Sequence, residues 1–283
     1  MEDLLGQKYA AGCYGISVVD MIKIRAIAQK EWAEVFKNRF VLFTVAFLPL
    51  IMTALPLIVL YGMRTFDGFS DVSTTDLPSE FISLCGDMNG AECSQYFVVS
   101  QFMLLFMLLP LAIPVTIASY SIVGEKATRT LEPVLATPVS TLELLSGKAI
   151  AAVVPAVLAT WLGFTIFAIG TMLISESVKI TGRLLDPVWL IAVFVLGPLL
   201  AIAAVNVAVM VSSRATDPRV AEQLSMLVVL PLLAVFFGQV TGLILINETL
   251  ILWMTLAMIV VDTVTFLIAV RLFQRETILT RWK

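Results

Sequence analysis

Histidine is absent from this chain of 283 residues, and cysteine occurs only three times. Without histidine, catalysis by a histidine base and zinc sites of the usual Cys/His kind are excluded. The formal net charge is −3, and no contiguous basic surface is available to displace counterions from DNA or RNA. We therefore expect no metal site and no nucleic-acid partner. The N-terminus also lacks a short apolar stretch before a small-residue cleavage site, so no removable signal peptide is expected.

Charged residues are scarce, at 14% of the chain against about 25% in an ordinary soluble domain. The hydrophobic set makes up 59% of the chain. Runs that are apolar on every face recur, and each is long enough to cross the roughly 30 Å hydrocarbon core of a bilayer. The sequence therefore predicts an all-α polytopic membrane protein. Its six transmembrane helices are expected at 40–62, 97–123, 149–174, 188–211, 224–246 and 250–270.

The distribution of basic residues predicts the orientation of these spans, because Lys and Arg concentrate on the cytoplasmic side. If the N-terminal end is inside, all but three of the 18 Lys and Arg residues are inside. The exceptions are Arg64, Lys179 and Arg183. Both termini are therefore expected in the cytoplasm, as an even number of spans allows.

The first outer loop, 63–96, is acidic and contains Cys85 and Cys93. Two cysteines eight positions apart on an oxidising side can close a small disulfide loop, and Gly86 and Gly90 between them suit a tight turn. The sequence thus makes this pair a disulfide candidate, with two unpaired thiols as the alternative.

A helix of a different kind is predicted at 21–39, between an N-terminal extension (1–20) and the transmembrane domain (40–271). Ile24, Ala28 and Trp32 share one face of this helix, although Glu31 intrudes on that face. A basic helix with a tryptophan, just ahead of a span, is expected to lie along the inner leaflet. The chain closes with a predicted cytoplasmic tail, 272–283.

The second inner segment, 124–148, reads GEKATRTLEPVLATPVSTLELLSGK. Thr130 can cap a short helix that tolerates Pro133 in its first turn, and Pro138 ends it. Ser140 and Glu143 then form a capping box that starts the helix of the third span. Such a short helix, parallel to the membrane, is typical of a docking element, although an ordinary ordered loop has the same local pattern.

The order of residues in this segment resembles the cytoplasmic loop of ABC-2-type exporter permeases. The matching positions are Glu125, Lys126, Thr130, Leu131, Glu132, Pro133, Leu135, Ala136, Thr137, Pro138, Ser140, Glu143, Leu144, Leu145, Gly147 and Lys148. Residues 212–225 and 273–283 are similar to the same family, so the resemblance runs from about residue 21 to the C-terminus.

The resemblance implies a plasma-membrane permease that assembles with a second permease copy or a paralogue and with two copies of an ABC ATPase subunit. The short helix would be its coupling helix, and 21–39 its interface helix. The ATPase-docking residues would be Glu125, Lys126, Thr130, Leu131, Glu132, Pro133, Leu135, Thr137 and Pro138. The outer re-entrant helices often found in this family could come only from 238–249.

The chain has no G-x-x-x-x-G-K-[ST] phosphate loop. ATP and Mg²⁺ are therefore expected on the partner subunit, with no cofactor and no catalytic residue in this chain. A membrane enzyme is a third possible class, but no residue pattern marks a catalytic site.

Asp262, a carboxylate inside the sixth predicted span, is the residue that most favours a function other than ATP-driven export. An ionised carboxylate in mid-membrane costs at least roughly 2.5 to 3.5 kcal/mol, so it should face protein or a watery cavity. Asp262, Asn206 and Gln239 are candidates for a substrate pathway, with contacts between helices as the alternative. The runner-up function is an ion-coupled secondary transporter that uses Asp262.

Overall fold

The computed structural model describes residues 20–37, 39–65, 78–86, 88–127, 139–175 and 178–272. This part of the chain consists of helices and short links and contains no strand. The α-helices are α1 (Met21–Val35), α2 (Arg39–Thr65), α3 (Ser79–Cys85), α4 (Gly90–Phe106), α5 (Leu109–Ala127), α6 (Thr141–Ile174), α7 (Val178–Leu184), α8 (Pro187–Ile191), α9 (Gly197–Ser212), α10 (Pro218–Ser225), α11 (Leu230–Val240) and α12 (Glu248–Leu272). A π-helix (Ala192–Leu196) joins α8 to α9, and a 3₁₀ helix (Met226–Val229) joins α10 to α11.

Six stretches of the described chain are long and apolar enough to cross a membrane, which confirms the predicted all-α fold with six spans. They are Val41–Thr65, Gly90–Lys126, Thr141–Ile174, Pro187–Ser212, Pro218–Val240 and Glu248–Leu272. The ends of these spans that carry Lys126 and Lys148 form the inner end of the bundle, following the orientation predicted from the basic residues. The opposite end, with Lys179 and Arg183, is the outer end.

The fifth span ends at Val240, and the prediction that it runs to Ile246 is wrong. Gly242 has a φ of +76°, the left-handed conformation that commonly terminates a helix and favours glycine. Residues 241–247 then form no helix, and the side chain of Asn247 accepts a hydrogen bond from the Leu250 N–H (2.8 Å) as α12 begins. The re-entrant helices that the resemblance implied for 238–249 are therefore not formed by the link at 241–247, and the short helices α3 and α7 lie in the two other outer loops.

The second span contains two prolines, Pro110 and Pro114, and its helix breaks just before the first of them. The N–H groups of Met107 and Leu108 bond to carbonyls only three residues back, at 3.0 and 2.9 Å. Pro110 lacks the N–H that a continuous helix would use at its position. Pro114 lies inside α5, which continues past it. The second span therefore consists of an outer half, α4, and an inner half, α5.

The second span is the centre of the bundle. In its most apolar stretch 78% of the residues are buried, compared with 17% in the first, fifth and sixth spans. The fourth span packs beside it, so that α5 and α9 bury Ile113, Ile117 and Ala204 between them and their neighbours. Spans one, five and six present apolar faces outward, as expected of helices that contact lipid or another membrane subunit.

A second, smaller apolar cluster lies at the outer end. Phe81 of α3 contacts Tyr96 and Phe97 of α4 through ring pairs with centroids 5.4 and 4.9 Å apart. The structure joins Cys85 to Cys93 by a disulfide bond, with the Cα atoms 5.4 Å apart. α3 is thereby fastened to the start of the second span.

Close packing of the first three spans depends on the missing side chain of Gly163. A Cβ atom at this position would lie 2.8 Å from Cζ of Phe106 and 3.4 Å from Cγ2 of Thr53. Because the Phe106 ring is 2% exposed, it has little space to move away. We expect Gly163→Leu to lower the free energy of unfolding by about 1 to 3 kcal/mol, measured by SDS-induced unfolding in mixed micelles.

Gly62→Leu is the matched control, since no atom lies within 4 Å of a Cβ built there. We expect it to change stability by less than about 0.5 kcal/mol. Equal effects of the two substitutions would contradict the packing argument.

Candidate functional site

Three helix segments meet at the inner end, on both sides of the loop that the sequence singles out. Within the segment 124–148, α5 ends at Ala127 and α6 begins at Thr141. The start of α6 is the predicted capping box: Ser140 accepts from the Glu143 N–H (3.2 Å), and Glu143 accepts from the Ser140 N–H (2.7 Å). α1 lies against both helices and is capped by Asp20, which accepts from the Ile22 N–H (3.0 Å).

A buried ammonium group, Lys148 of α6, joins these three segments. Its Nζ lies 2.7 Å from Oε1 of Glu31 in α1 and 2.8 Å from Oε2 of Glu125 in α5. It also donates to Oγ of Ser121 (2.8 Å), whose hydroxyl donates to Glu31. Lys30 donates to the other oxygen of Glu125. Lys30, Glu31, Ser121, Glu125 and Lys148 are called the Lys148 cluster below.

Burial makes the charges of this cluster depend on one another. Glu31, Glu125 and Lys148 are 2%, 6% and 4% exposed, so water can stabilise none of them well. Two carboxylates face two ammonium groups, which leaves the cluster formally neutral. Removing one member of a buried ion pair typically costs about 3 to 5 kcal/mol because its partner stays buried without compensation.

The pKa values outside the spans reflect these contacts. Burial disfavours ionisation of Glu31, but the nearby Lys148 ammonium and the hydrogen bond from Ser121 outweigh it, so the pKa of the carboxyl lies below its ordinary value. Partial burial acts against the charge of Lys30, yet its bond to Glu125 raises the pKa of the ammonium above its ordinary value. Both side chains are therefore held in their charged forms.

Glu31, Glu34 and Glu125 bring carboxylate oxygens within 4.8 Å of one another, a spacing that a metal ion could use. Lys30 pairs with all three, and Lys148 pairs with two of them. Because these ammonium groups already compensate the carboxylates, the arrangement does not favour a bound cation.

Further contacts fasten α1 along α6. Glu143 accepts from the Asp20 N–H (3.1 Å) and lies 3.5 Å from Nζ of Lys23. Nε1 of Trp32 donates to the carbonyl of Ala151 (3.0 Å). Between them, a Cβ atom at Gly147 would lie 2.7 Å from the side chain of Ile27, so only glycine allows this approach. The helix predicted to lie along the inner leaflet is thus fixed to the base of the third span.

Lys126, next to the cluster, contacts the inner loop between α9 and α10, residues 213–217. Its Nζ donates to the carbonyls of Ser213 (3.3 Å) and Ala215 (3.1 Å). Asp217 then caps α10 by accepting from the Arg219 N–H (2.7 Å), and Pro218 takes the first helical position, where its missing N–H is tolerated. Both inner loops therefore meet at the end of α5.

Of the predicted docking residues, Glu125 and Lys126 lie in the described chain, and both make internal contacts. The others lie outside the described residues: Thr130, Leu131, Glu132, Pro133, Leu135, Thr137 and Pro138. Docking of an ATPase through this loop stays a prediction.

Sequence reasoning missed the roles of Glu31 and Lys148. Glu31 interrupts an apolar helix face, and Lys148 stands at the base of an apolar span. A charged side chain on a surface that will be buried needs a partner of opposite charge. That requirement is the signal that relates the two residues, although it does not say which charges pair.

The three residues predicted to line a substrate pathway do not share one place. Asn206 donates to the backbone carbonyl of Asp262 (3.4 Å) and to the hydroxyl of Thr265 (3.2 Å), which joins α9 to α12. Gln239 instead donates to Ser100 (3.3 Å), towards the outer end. Asp262 is 8% exposed, and neither carboxylate oxygen has a hydrogen-bond partner among the described residues. The pathway itself stays a prediction.

Lys148→Met removes the charge and keeps an apolar side chain of similar length. Because Glu31 and Glu125 would stay buried beside it, we expect a loss of about 3 to 5 kcal/mol in unfolding free energy. Lys179→Met is the matched control, since Lys179 is exposed and 3.9 Å from Glu92, and should cost no more than about 1 kcal/mol. Adding Glu31→Gln and Glu125→Gln to Lys148→Met should restore much of the stability. Failure of this rescue would contradict the charge argument.

The lowered pKa of Glu31 predicts an acid-sensitive attachment of α1. A carboxyl whose folded-state pKa is depressed stabilises the fold fully above its unfolded value, 4.5, and less as the pH falls towards the folded value. Hydrogen exchange of residues 21–35 should therefore become faster as the pH is lowered from about 5 to 3, after correction for intrinsic exchange rates. In Glu31→Gln this pH dependence should be weaker. An unchanged profile in that variant would exclude Glu31 as its source.

A family model described as "ABC-2 family transporter protein" matches residues 25–251. The match includes most of α1, the whole Lys148 cluster and five of the six spans. No curated protein sequence matches the chain significantly. Because the match covers more than half of the chain, this membrane protein belongs to the ABC-2 transporter family.

Proposed function

We propose that this chain is the permease subunit of an ATP-driven exporter in the plasma membrane. It would form the translocation pathway together with a second permease copy or a paralogue. Two copies of an ABC ATPase subunit, which carry the ATP and Mg²⁺, would dock on the loop at 124–148. The observation that supports this proposal most directly is the Lys148 cluster, which ties both ends of that loop to α1.

The cluster explains how a movement of the loop would be transmitted to the spans. Glu125 lies near the end of α5 and Lys148 in the first part of α6, so a displacement of the loop between these helices would move both residues. Lys148 lies 2.7 Å from Glu31 and 2.8 Å from Glu125, and separating these buried charges is costly, so α1, α5 and the base of α6 should move as one body. The loop itself needs only to bind two states of the ATPase with different affinity.

The broken second span provides a place where such a movement can be absorbed. α5 belongs to the body that contains the cluster, whereas α4 is fastened to α3 at the outer end. Between them, the Met107 and Leu108 N–H groups already depart from α-helical bonding. A change in angle here would alter the path beside the second span without breaking the inner contacts.

The docking prediction is tested on the full chain with Leu131→Asp combined with Glu132→Lys. We expect the unaltered chain to co-purify with an ABC ATPase from its native membrane and to raise ATP hydrolysis in liposomes. The double variant should lose both properties while it still inserts and folds. Lys179→Glu, at the outer end, is the control and should keep both. Normal assembly and normal ATPase stimulation by the double variant would contradict docking through the loop.

An ion-coupled secondary transporter is the second candidate, and Asp262 supports it. The carboxylate is buried in mid-span without a hydrogen-bond partner among the described residues, so it could hold a proton or a small cation. This function predicts transport that collapses with the ion gradient while ATP remains available. Export driven by the ATPase predicts the opposite dependence.

A further inference from the structure

A cavity of about 330 Å³ opens at the outer end, between α3, α4, α8, α11 and the 241–247 link. Its buried wall includes Tyr96, Ser100, Trp189 and Gln239. Its more exposed side includes Arg183, Asp186 and Glu248. The volume falls at the small end of the range of ligand-binding cavities.

The Gln239 amide leaves one hydrogen-bonding position open. Its Nε2 donates to Oγ of Ser100 (3.3 Å), and that hydroxyl donates in turn to the carbonyl of Phe97 (2.8 Å). Oε1 of Gln239 is buried and receives no hydrogen bond from any described residue. A buried acceptor without a donor is destabilising, because it has given up its hydrogen bonds to water and gained none in return. Because Gln239 lines the cavity, a ligand with an N–H or O–H donor is the kind of molecule that could complete this bond after a small rotation of the amide.

The charges around the cavity favour a cation. Arg183 and Asp186 lie 3.6 Å apart and largely compensate each other. Glu248 has no Lys or Arg nitrogen within 4.0 Å in the described part of the chain, so one negative charge remains. Glu248 also lies in the first turn of α12, where a carboxylate interacts favourably with the helix dipole. This interaction accounts for Glu248 but leaves Oε1 of Gln239 without a donor.

Aromatic rings complete the wall. Trp189, Tyr96 and Phe81 all line the cavity, and such rings attract organic cations through their electron-rich faces. A bare divalent metal would need several oxygen ligands in place of these rings. An organic group with a charged end matches the aromatic wall, the remaining carboxylate and the open amide acceptor together.

We propose that this cavity binds a small organic ammonium ion. An N–H of the ligand would donate to Oε1 of Gln239, its charge would be shared by Glu248 and the aromatic wall, and its alkyl part would contact Phe81 and Trp189. Binding does not require ATPase coupling, so this proposal can fail while the exporter proposal stands, and the reverse. If both proposals hold, the cavity binds the transported molecule at the outer end, where an exporter releases it.

The test is equilibrium dialysis of the purified full-length chain against three probes: n-butylammonium, tetraethylammonium and n-butanol. We expect saturable binding of both cations and at least tenfold weaker binding of n-butanol. Glu248→Gln should weaken both cations about tenfold. Gln239→Leu should weaken n-butylammonium about tenfold but change tetraethylammonium less than about twofold, because a quaternary ammonium has no N–H to donate.

Glu92→Gln is the matched control, since Glu92 is an outer acidic residue beside a different cavity, and it should leave all affinities unchanged. The proposal is overturned if n-butylammonium does not bind saturably or binds no better than n-butanol. Affinities that neither Glu248→Gln nor Gln239→Leu alters would also overturn it, as would equal losses for both cations in Gln239→Leu. If Gln239→Leu does not fold, Gln239→Met replaces it. The comparison of n-butylammonium with n-butanol on the unaltered chain tests the preference for a cation without any variant.

Discussion

Compensation of buried charge at Lys148 is the constraint on which the inner end of this protein depends. Three helix segments that are distant in sequence each bring charge to one place that water reaches poorly. None of these charges is stable there alone, so the positions of α1, α5 and α6 are fixed relative to one another. The inner loop between α5 and α6 begins and ends on this framework, and Lys126 connects the end of α5 to the inner loop between α9 and α10.

The outer end is organised differently. A disulfide and an aromatic cluster hold α3 against α4, while the contacts of α11 with α4 are partly polar, through Gln239 and Ser100. The Lys148 cluster at the inner end is formally neutral. The outer cavity instead retains an unpaired acceptor, Oε1 of Gln239, and the uncompensated carboxylate of Glu248. The two ends of the bundle therefore offer different chemistry to a molecule that reaches them.

Features set by neighbouring residues were predictable from the sequence. The six spans follow from long apolar runs, and the caps at Ser140 and Asp217 follow from side chains that bond within three residues. The end of the fifth span was missed because Leu245 and Ile246 are apolar although the chain has already left the helix at Gly242. The Glu31–Lys148 pair, 117 positions apart, depends on how α1 packs against α6, which no local pattern specifies.

The positions of the cluster residues along the chain also set an order of assembly. Glu31 and Glu125 are synthesised before Lys148, so a growing chain holds the two carboxylates with the exposed Lys30 but without their buried counter-ion. α1 can reach its final place only after the third span has emerged from the ribosome and entered the bilayer. Until then the inner ends of α1 and α5 are not held together by Lys148. A chain truncated before Lys148 lacks the buried ammonium group that pairs with Glu31 and Glu125.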